Sequence, residues 1–218
     1  MNANATQRLS RHLIMHFTHV RNLSGILASG CLQADSLVSR ENALQVEAAD
    51  LEIKARRKAI RIRLAPYGCV ADYVPFYFAP RSPMLYKLAK GSVPTYTDGQ
   101  DPLIYLVSTV EAVARAGLQC LFSDGNCAAA VTQVSGDLTL LDSMVDWEVM
   151  RARMWSNTAE DPDRMRRRMA EFLVHERVSV DCLAGIAVRT EGMRERMDAI
   201  LAAQGVSLPV QVRPNWYF

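Results

Sequence analysis

Short apolar runs, separated by charged stretches of helical pattern, constrain this chain more than any other feature. The runs at 13–18, 74–78, 103–107, 172–174, 185–188 and 206–212 are rich in β-branched, aromatic or aliphatic residues and have strand rather than helix length. Between them, Leu23, Ile26 and Leu27 recur at helical spacing over 22–29, with Gly30 placed for a left-handed cap. Residues 109–116 and 191–204 repeat that arrangement, closed by Gly117 and Gly205. The alternation lacks the regular spacing of βαβ units, so the expected class is α+β. With 218 residues, half of them apolar, the chain is long enough for one sizeable core, and a single domain over 1–218 is expected.

Other segments carry more specific expectations. Residues 39–62 place Glu41, Glu47, Asp50 and Glu52 early and Lys54, Arg56, Arg57, Lys58 and Arg61 late, which predicts a surface helix whose charges complement its dipole. Pro66, Tyr67 and Gly68 then form a turn, and Pro75 predicts that the 74–78 strand lies at a sheet edge. Asp161-Pro162-Asp163 begins a further helix, with Met165 and Met169 on its apolar face, that runs up to Glu171.

Several classes are set aside. No window approaches the ~18 to 20 continuous apolar residues of a membrane span. Residues 1–13 lack the apolar centre of a secretory signal, which predicts a cytoplasmic protein. Five scattered cysteines without a Cys-x-x-Cys pair read as reduced thiols, each a small buried hydrophobe. Glu171 and His175 have half the spacing of a metal site, but no second ligand pair appears, so no metal is expected. A net charge of +2 is too mild to establish a nucleic-acid partner, so that case rests on where the charges sit.

One corner gathers directional polar groups. His16, Thr18 and Asn22 lie where a strand feeds a helix, and an imidazole, a hydroxyl and an amide there suit ribose hydroxyls, while adjacent backbone suits a carboxamide. On spacing alone, the commoner use of such an asparagine is to cap its helix, and of such a histidine to sit satisfied in a core. The pattern His-x-Thr, then Asn, then Ile-Leu and Gly resembles the nicotinamide-binding signature of poly-ADP-ribose polymerases and the wider ADP-ribosyltransferase superfamily. The resemblance implies NAD contacts at His16, Phe17, Thr18 and Asn22, with Phe17 acting through its backbone, and a fold of two small packed β-sheets with surrounding helices.

A longer match follows in Asp72-Tyr-Val-Pro-Phe-Tyr-Phe-Ala-Pro-Arg-Ser-Pro-Met-Leu-Tyr86, Phe122-Ser-Asp-Gly-Asn126 and Ala170-Glu-Phe-Leu-Val174. These blocks resemble DarT, a bacterial toxin family that ADP-ribosylates bases in single-stranded DNA and is paired with a macrodomain antitoxin, DarG, that removes the mark. The resemblance implies that Glu171 is the catalytic glutamate, that Met84 lines the nicotinamide pocket by packing, and that NAD is the donor. Breaking the glycosidic bond develops positive charge on the ribose, which a fixed carboxylate stabilises. Read locally, without the resemblance, the better account of Glu171 is a surface glutamate paired with His175 or Arg167. Alignment back from the Val74 block puts the family's catalytic arginine at Arg57, with Arg56 as the open alternative. A guanidinium is a poor base, so stabilising the anionic thymine ring suits it better than taking the ring proton.

The six cations from Lys54 to Arg63 form a candidate phosphate track, with Arg56, Lys58, Arg61 and Arg81 as contacts and Tyr73, Phe76, Tyr77 and Tyr86 as stacking faces. Strand alternation buries about half of the nearby aromatics. Arg164, Arg166, Arg167 and Arg168 form a second cluster, suited to the NAD pyrophosphate or the DNA backbone. The rival readings are a transferase of this fold acting on guanine, RNA or protein, and a non-catalytic DNA-binding module.

Overall fold

The computed structural model describes residues 12–41, 45–48 and 50–218. The expectation for residues 1–11 lies outside the described residues. In chain order the strands are β1 (Leu13–His19), β2 (Cys31–Gln33), β3 (Tyr73–Tyr77), β4 (Leu103–Thr109), β5 (Cys120–Ser123), β6 (Val134–Ser135), β7 (Glu171–His175), β8 (Arg177–Ser179), β9 (Gly185–Val188) and β10 (Val210–Val212). Eight form one sheet in the order β10-β9-β4-β1-β3-β7-β5-β6, and β2 pairs with β8.

The large sheet is nearly two. β1 pairs with β4 from Leu13↔Thr109 to His19↔Leu103, and β3 pairs with β7 from Tyr73↔His175 to Tyr77↔Glu171. Across the middle, β1 and β3 meet only at Met15↔Tyr77. The α+β expectation is met, and the two expected small sheets are the halves on either side of this join. Beyond Met15 the strands part, leaving the end of β1 without a β3 partner.

Side-chain alternation decides what faces each way. Phe172 and Val174 enter the main core with Ile14, Val74, Phe76, Ile104 and Leu106. Leu173, on the opposite face, packs with Tyr73, Leu121, Ile62, Val70 and Cys127. Glu171 shares the Leu173 face, so the strand opens with a carboxylate that does not enter the main core.

Three expectations are corrected. The 39–62 helix is two helices, Asp35–Glu41 and Leu51–Ala59, and residues 45–48 between them are not helical. Residues 42–44 and 49 lie outside the described residues. The break has a cause, because the Asn22 amide captures the backbone of Gln45 and Val46, and Asp50 caps the second helix through Glu52 N–H at 3.0 Å.

Pro75 lies in an interior strand, not at an edge. Its carbonyl accepts from His16 on β1. A strand residue's N and C=O face the same neighbour, so its missing N–H also faces β1, where the ladder has almost ended. Finally, the helix before Glu171 spans only Arg164–Arg168, and Met165 on it is exposed while Arg168 is buried. The Asp163 carboxylate binds Arg166 instead of capping.

Candidate active site

Glu171 is 1 % exposed and is held from every side. Its Oε2 accepts from Arg57 Nη1 at 2.8 Å, and its Oε1 faces the Cys127 N–H at 3.4 Å. Its own N–H donates to Ser123 Oγ at 3.0 Å, and that hydroxyl donates onward to the Gly125 carbonyl at 2.7 Å. The turn after β5 therefore fixes both the backbone and one oxygen of the carboxylate. The local alternative, a surface pair with His175 or Arg167, does not form.

Arg57 arrives from the Leu51–Ala59 helix, which has no fully buried residue. Burial pulls its guanidinium down, but the Glu171 carboxylate, with Tyr77 and Cys127, outweighs that, and its pKa is raised. It stays a cation. Its Nη2 is buried with no hydrogen-bond partner among the described residues, a donor left for an incoming acceptor. Arg56, its neighbour, is exposed.

His16 stands at the parting of β1 and β3, its Nδ1 2.8 Å from the Pro75 carbonyl. A carbonyl only accepts, so Nδ1 carries the hydrogen and Nε2 is an acceptor in the neutral ring. Burial pulls the imidazole down to about 4; the Pro75 bond opposes this and Arg57 adds to it. Phe17 stacks on Tyr77 at 6.3 Å and meets Tyr105 edge-on at 6.1 Å. Met84, 8 % exposed, packs in the cluster of Met15, Leu85 and Tyr105 against which Phe17 rests.

Thr18 and Asn22 are both buried, and Asn22 Nδ2 donates to Thr18 Oγ1 at 3.2 Å and to the Val46 carbonyl at 2.9 Å. Its Oδ1 accepts from Gln45 and Val46 N–H at 3.0 Å each. All four hydrogen-bonding positions of the amide are used within the protein. Asn22 does not cap its helix either; that helix is Val20–Ser29, and the cap is His19, which accepts from Arg21 N–H at 3.1 Å.

Among the expected DNA contacts, Lys58 and Arg61 are exposed with Arg56. Tyr73 is corrected: it is 1 % exposed and its hydroxyl donates to the Tyr67 carbonyl at 2.7 Å, so it offers no face to a base. Arg81 is partly buried, its guanidinium 4.5 Å from the Phe218 ring centre. The second arginine cluster is also largely committed. Arg166 pairs with Asp124 and Asp163, and Arg167 with Asp146 and Asp161. Arg168 donates to the carbonyls of Pro80, Val149, Met150 and Ala152.

Two site residues have places that the sequence does not state: Tyr77 reads there as a stacking face, and Cys127 as a core thiol. Tyr77 lies opposite Glu171 in the β3–β7 register, and burial with that carboxylate raises its hydroxyl, keeping it a phenol. Cys127 is no ordinary core filler, since burial and Glu171 push its thiol up while its N–H faces the same carboxylate. The two-residue alternation of β3 carries a signal for Tyr77; nothing local carries one for Cys127.

No group of three or more His, Cys, Asp or Glu among the described residues is arranged to hold a metal. No helix among them is long and apolar enough to cross a membrane. A sheet parted beside the strand that bears His16, with buried Glu171 on the facing half, is the arrangement that the resemblance to ADP-ribosyltransferases implies.

The comparisons narrow the class. Residues 15–218 match the family described as "ssDNA thymidine ADP-ribosyltransferase, DarT". A DNA ADP-ribosyl transferase of Thermus sp. (strain 2.9) is 35% identical over 207 residues, covering 94% of this chain and 95% of that protein. The structure of Thermus sp. 2.9 DarT in complex with ADP-ribosylated ssDNA superposes with a TM-score of 0.89 at 34% identity, over 96% of this chain and 97% of that one. The same protein in complex with NAD+ gives 0.85 at 32%, over 95% and 98%. A DNA ADP-ribosyl transferase-DNA ADP-ribosyl glycohydrolase fusion protein of Thermosipho africanus is 25% identical over 205 residues, 94% of this chain and 49% of that protein. This chain belongs to the DarT family.

Proposed function

We propose that this chain transfers ADP-ribose from NAD to the ring nitrogen of thymine in single-stranded DNA and releases nicotinamide. The observation that carries the reading is the buried Arg57–Glu171 pair, an anion to stabilise the ribosyl cation beside a cation with one unused donor. Glu171 holds the ribose hydroxyls and stabilises the positive charge that develops as the glycosidic bond breaks. His16 accepts a ribose hydroxyl at Nε2, Thr18 adds its hydroxyl, the unpaired backbone at Phe17 meets the carboxamide, and Met84 closes the nicotinamide corner by packing. Asn22, its amide fully engaged, serves NAD indirectly by holding residues 45 and 46. Arg57 stabilises the base as its ring N–H gives up its proton to water and that nitrogen bonds to the anomeric carbon in place of the departing nicotinamide. The acceptor is unpaired because this nitrogen is engaged in a duplex.

Arg56, Lys58 and Arg61 offer exposed charge to the phosphates. The chain works as one domain, in the cytoplasm, as the toxin of a toxin–antitoxin pair whose partner is a DarG-type macrodomain. The fused glycohydrolase of the Thermosipho relative supports that partner. The test is incubation of purified protein and NAD with the four homopolymeric oligonucleotides, read by mass spectrometry. An ADP-ribose adduct on oligo-dT is expected; adducts confined to another base would refute the acceptor.

A further inference from the structure

We propose that Tyr67 is a base-stacking residue for single-stranded DNA, carried at the tip of a basic hairpin that follows the Arg57 helix. This rests on the DNA reading above and adds a nucleotide subsite to it. After Ala59 the chain doubles back. Ile62 N–H donates to the Gly68 carbonyl and Val70 N–H to the Ile60 carbonyl, each at 3.0 Å, with Arg61 bridged to Cys69. At the tip, Tyr67 is 61% exposed and has φ of 68°, a left-handed conformation that is costly for a bulky side chain.

That conformation is held deliberately. Tyr67 N–H donates to the Leu64 carbonyl at 2.7 Å, and the Tyr67 carbonyl accepts from the buried Tyr73 hydroxyl at 2.7 Å. A buried phenol thus props an exposed one outward. The root of the hairpin is fixed near the reaction: Ile62 is buried with Tyr73, Leu121, Leu173 and Cys127, and Cys127 faces Glu171.

The surrounding charge selects the occupant. Arg61 and Arg63 are exposed on the hairpin, and Arg56 and Lys58 on the helix before it. Arg56, Arg61 and Arg63 form no ion pair among the described residues. Cations that track a phosphate backbone, interleaved with an aromatic face open to water, suit unpaired nucleic acid, because every base has a face to stack. The occupant is a nucleotide flanking the modified one, since Arg57 and Glu171 serve the modified base itself.

The experiment compares wild type, Tyr67→Ala, Tyr67→Phe and Tyr67→Trp, all as the 218-residue chain with NAD and a thymine-containing single strand. Apparent KM is measured for each substrate. Losing one stacked base raises the oligonucleotide KM of Tyr67→Ala by roughly 5- to 100-fold and leaves the NAD KM unchanged. Phe and Trp restore wild-type behaviour. An unchanged oligonucleotide KM for Tyr67→Ala overturns the proposal, including the case where only binding of an antitoxin weakens. Loss in Tyr67→Phe as large as in Tyr67→Ala also overturns it, since the hydroxyl rather than the ring would then be the contact. Wild type that modifies no single strand sinks the underlying DNA reading instead.

Discussion

Replacing Arg57 by Ala leaves a 1 % exposed carboxylate without its cation, whereas replacing Arg56 touches only solvent. Stranding one member of a buried pair costs about 3–5 kcal/mol, and an exposed substitution away from such features stays within about 0.5 kcal/mol. Urea denaturation should therefore show Arg57→Ala strongly destabilised and Arg56→Ala unaffected. Adding Glu171→Gln to Arg57→Ala should recover much of the loss, because the buried charge is gone. In activity, Glu171→Gln should lower kcat on the order of 10²–10³-fold, the usual scale for removing an electrostatic stabiliser of the transition state. Equal stability of the two arginine variants would contradict the geometry of the pair. None of this pairing is legible locally, because the partners are 114 residues apart. Only the resemblance to a family brought them together, and it left Arg56 and Arg57 open.

At the scale of elements, the segment 45–48 is a strap rather than a helical turn. It is fastened by Asn22 at one end and runs into the cap of the Leu51–Ala59 helix at the other. Val46 and Ala48 pack into the cluster containing Met15, Met84 and Phe17, so the strap covers the proposed nicotinamide corner and sets where the Arg57 helix begins. Asn22→Ala removes the three hydrogen bonds from its side chain to Gln45 and Val46. Losing one or two of them at about 1 kcal/mol each gives a fall of roughly 5- to 30-fold in kcat/KM for NAD. Steady-state kinetics on the purified variant would check this, and unchanged kinetics would make the strap dispensable. Strand positions were legible because an apolar run of strand length states its own periodicity. The strap was not, since its helical composition yields to one side-chain amide reaching across 23 residues to Gln45. Arginines 166 to 168 misled for a related reason: their partners Asp124 and Asp146 and four backbone carbonyls are remote in sequence. The local hint lay in Asp161 and Asp163, close in sequence to Arg166 and Arg167.

Across the whole molecule, acid should act through the histidines at the β1 end. His16 titrates at about 4 when folded against 6.5 when free, so the unfolded chain binds the extra proton between those values. Its contribution is fully present above about pH 6.5 and is lost as pH falls toward 4, up to about 3 kcal/mol in all. His19, lowered by burial, changes in the same direction. Thermal unfolding between pH 7 and 4.5 should show this slope, and His16→Gln should flatten it; a parallel slope in the variant would show that His16 is not its source. The strand order has a last consequence, for the making of the protein. β1 pairs along its length with β4, whereas β3 gains a full ladder only from β7, which begins at residue 171. Pairings this distant form slowly and late. The Arg57–Glu171 pair therefore cannot form until β7 has been translated, 114 residues after Arg57.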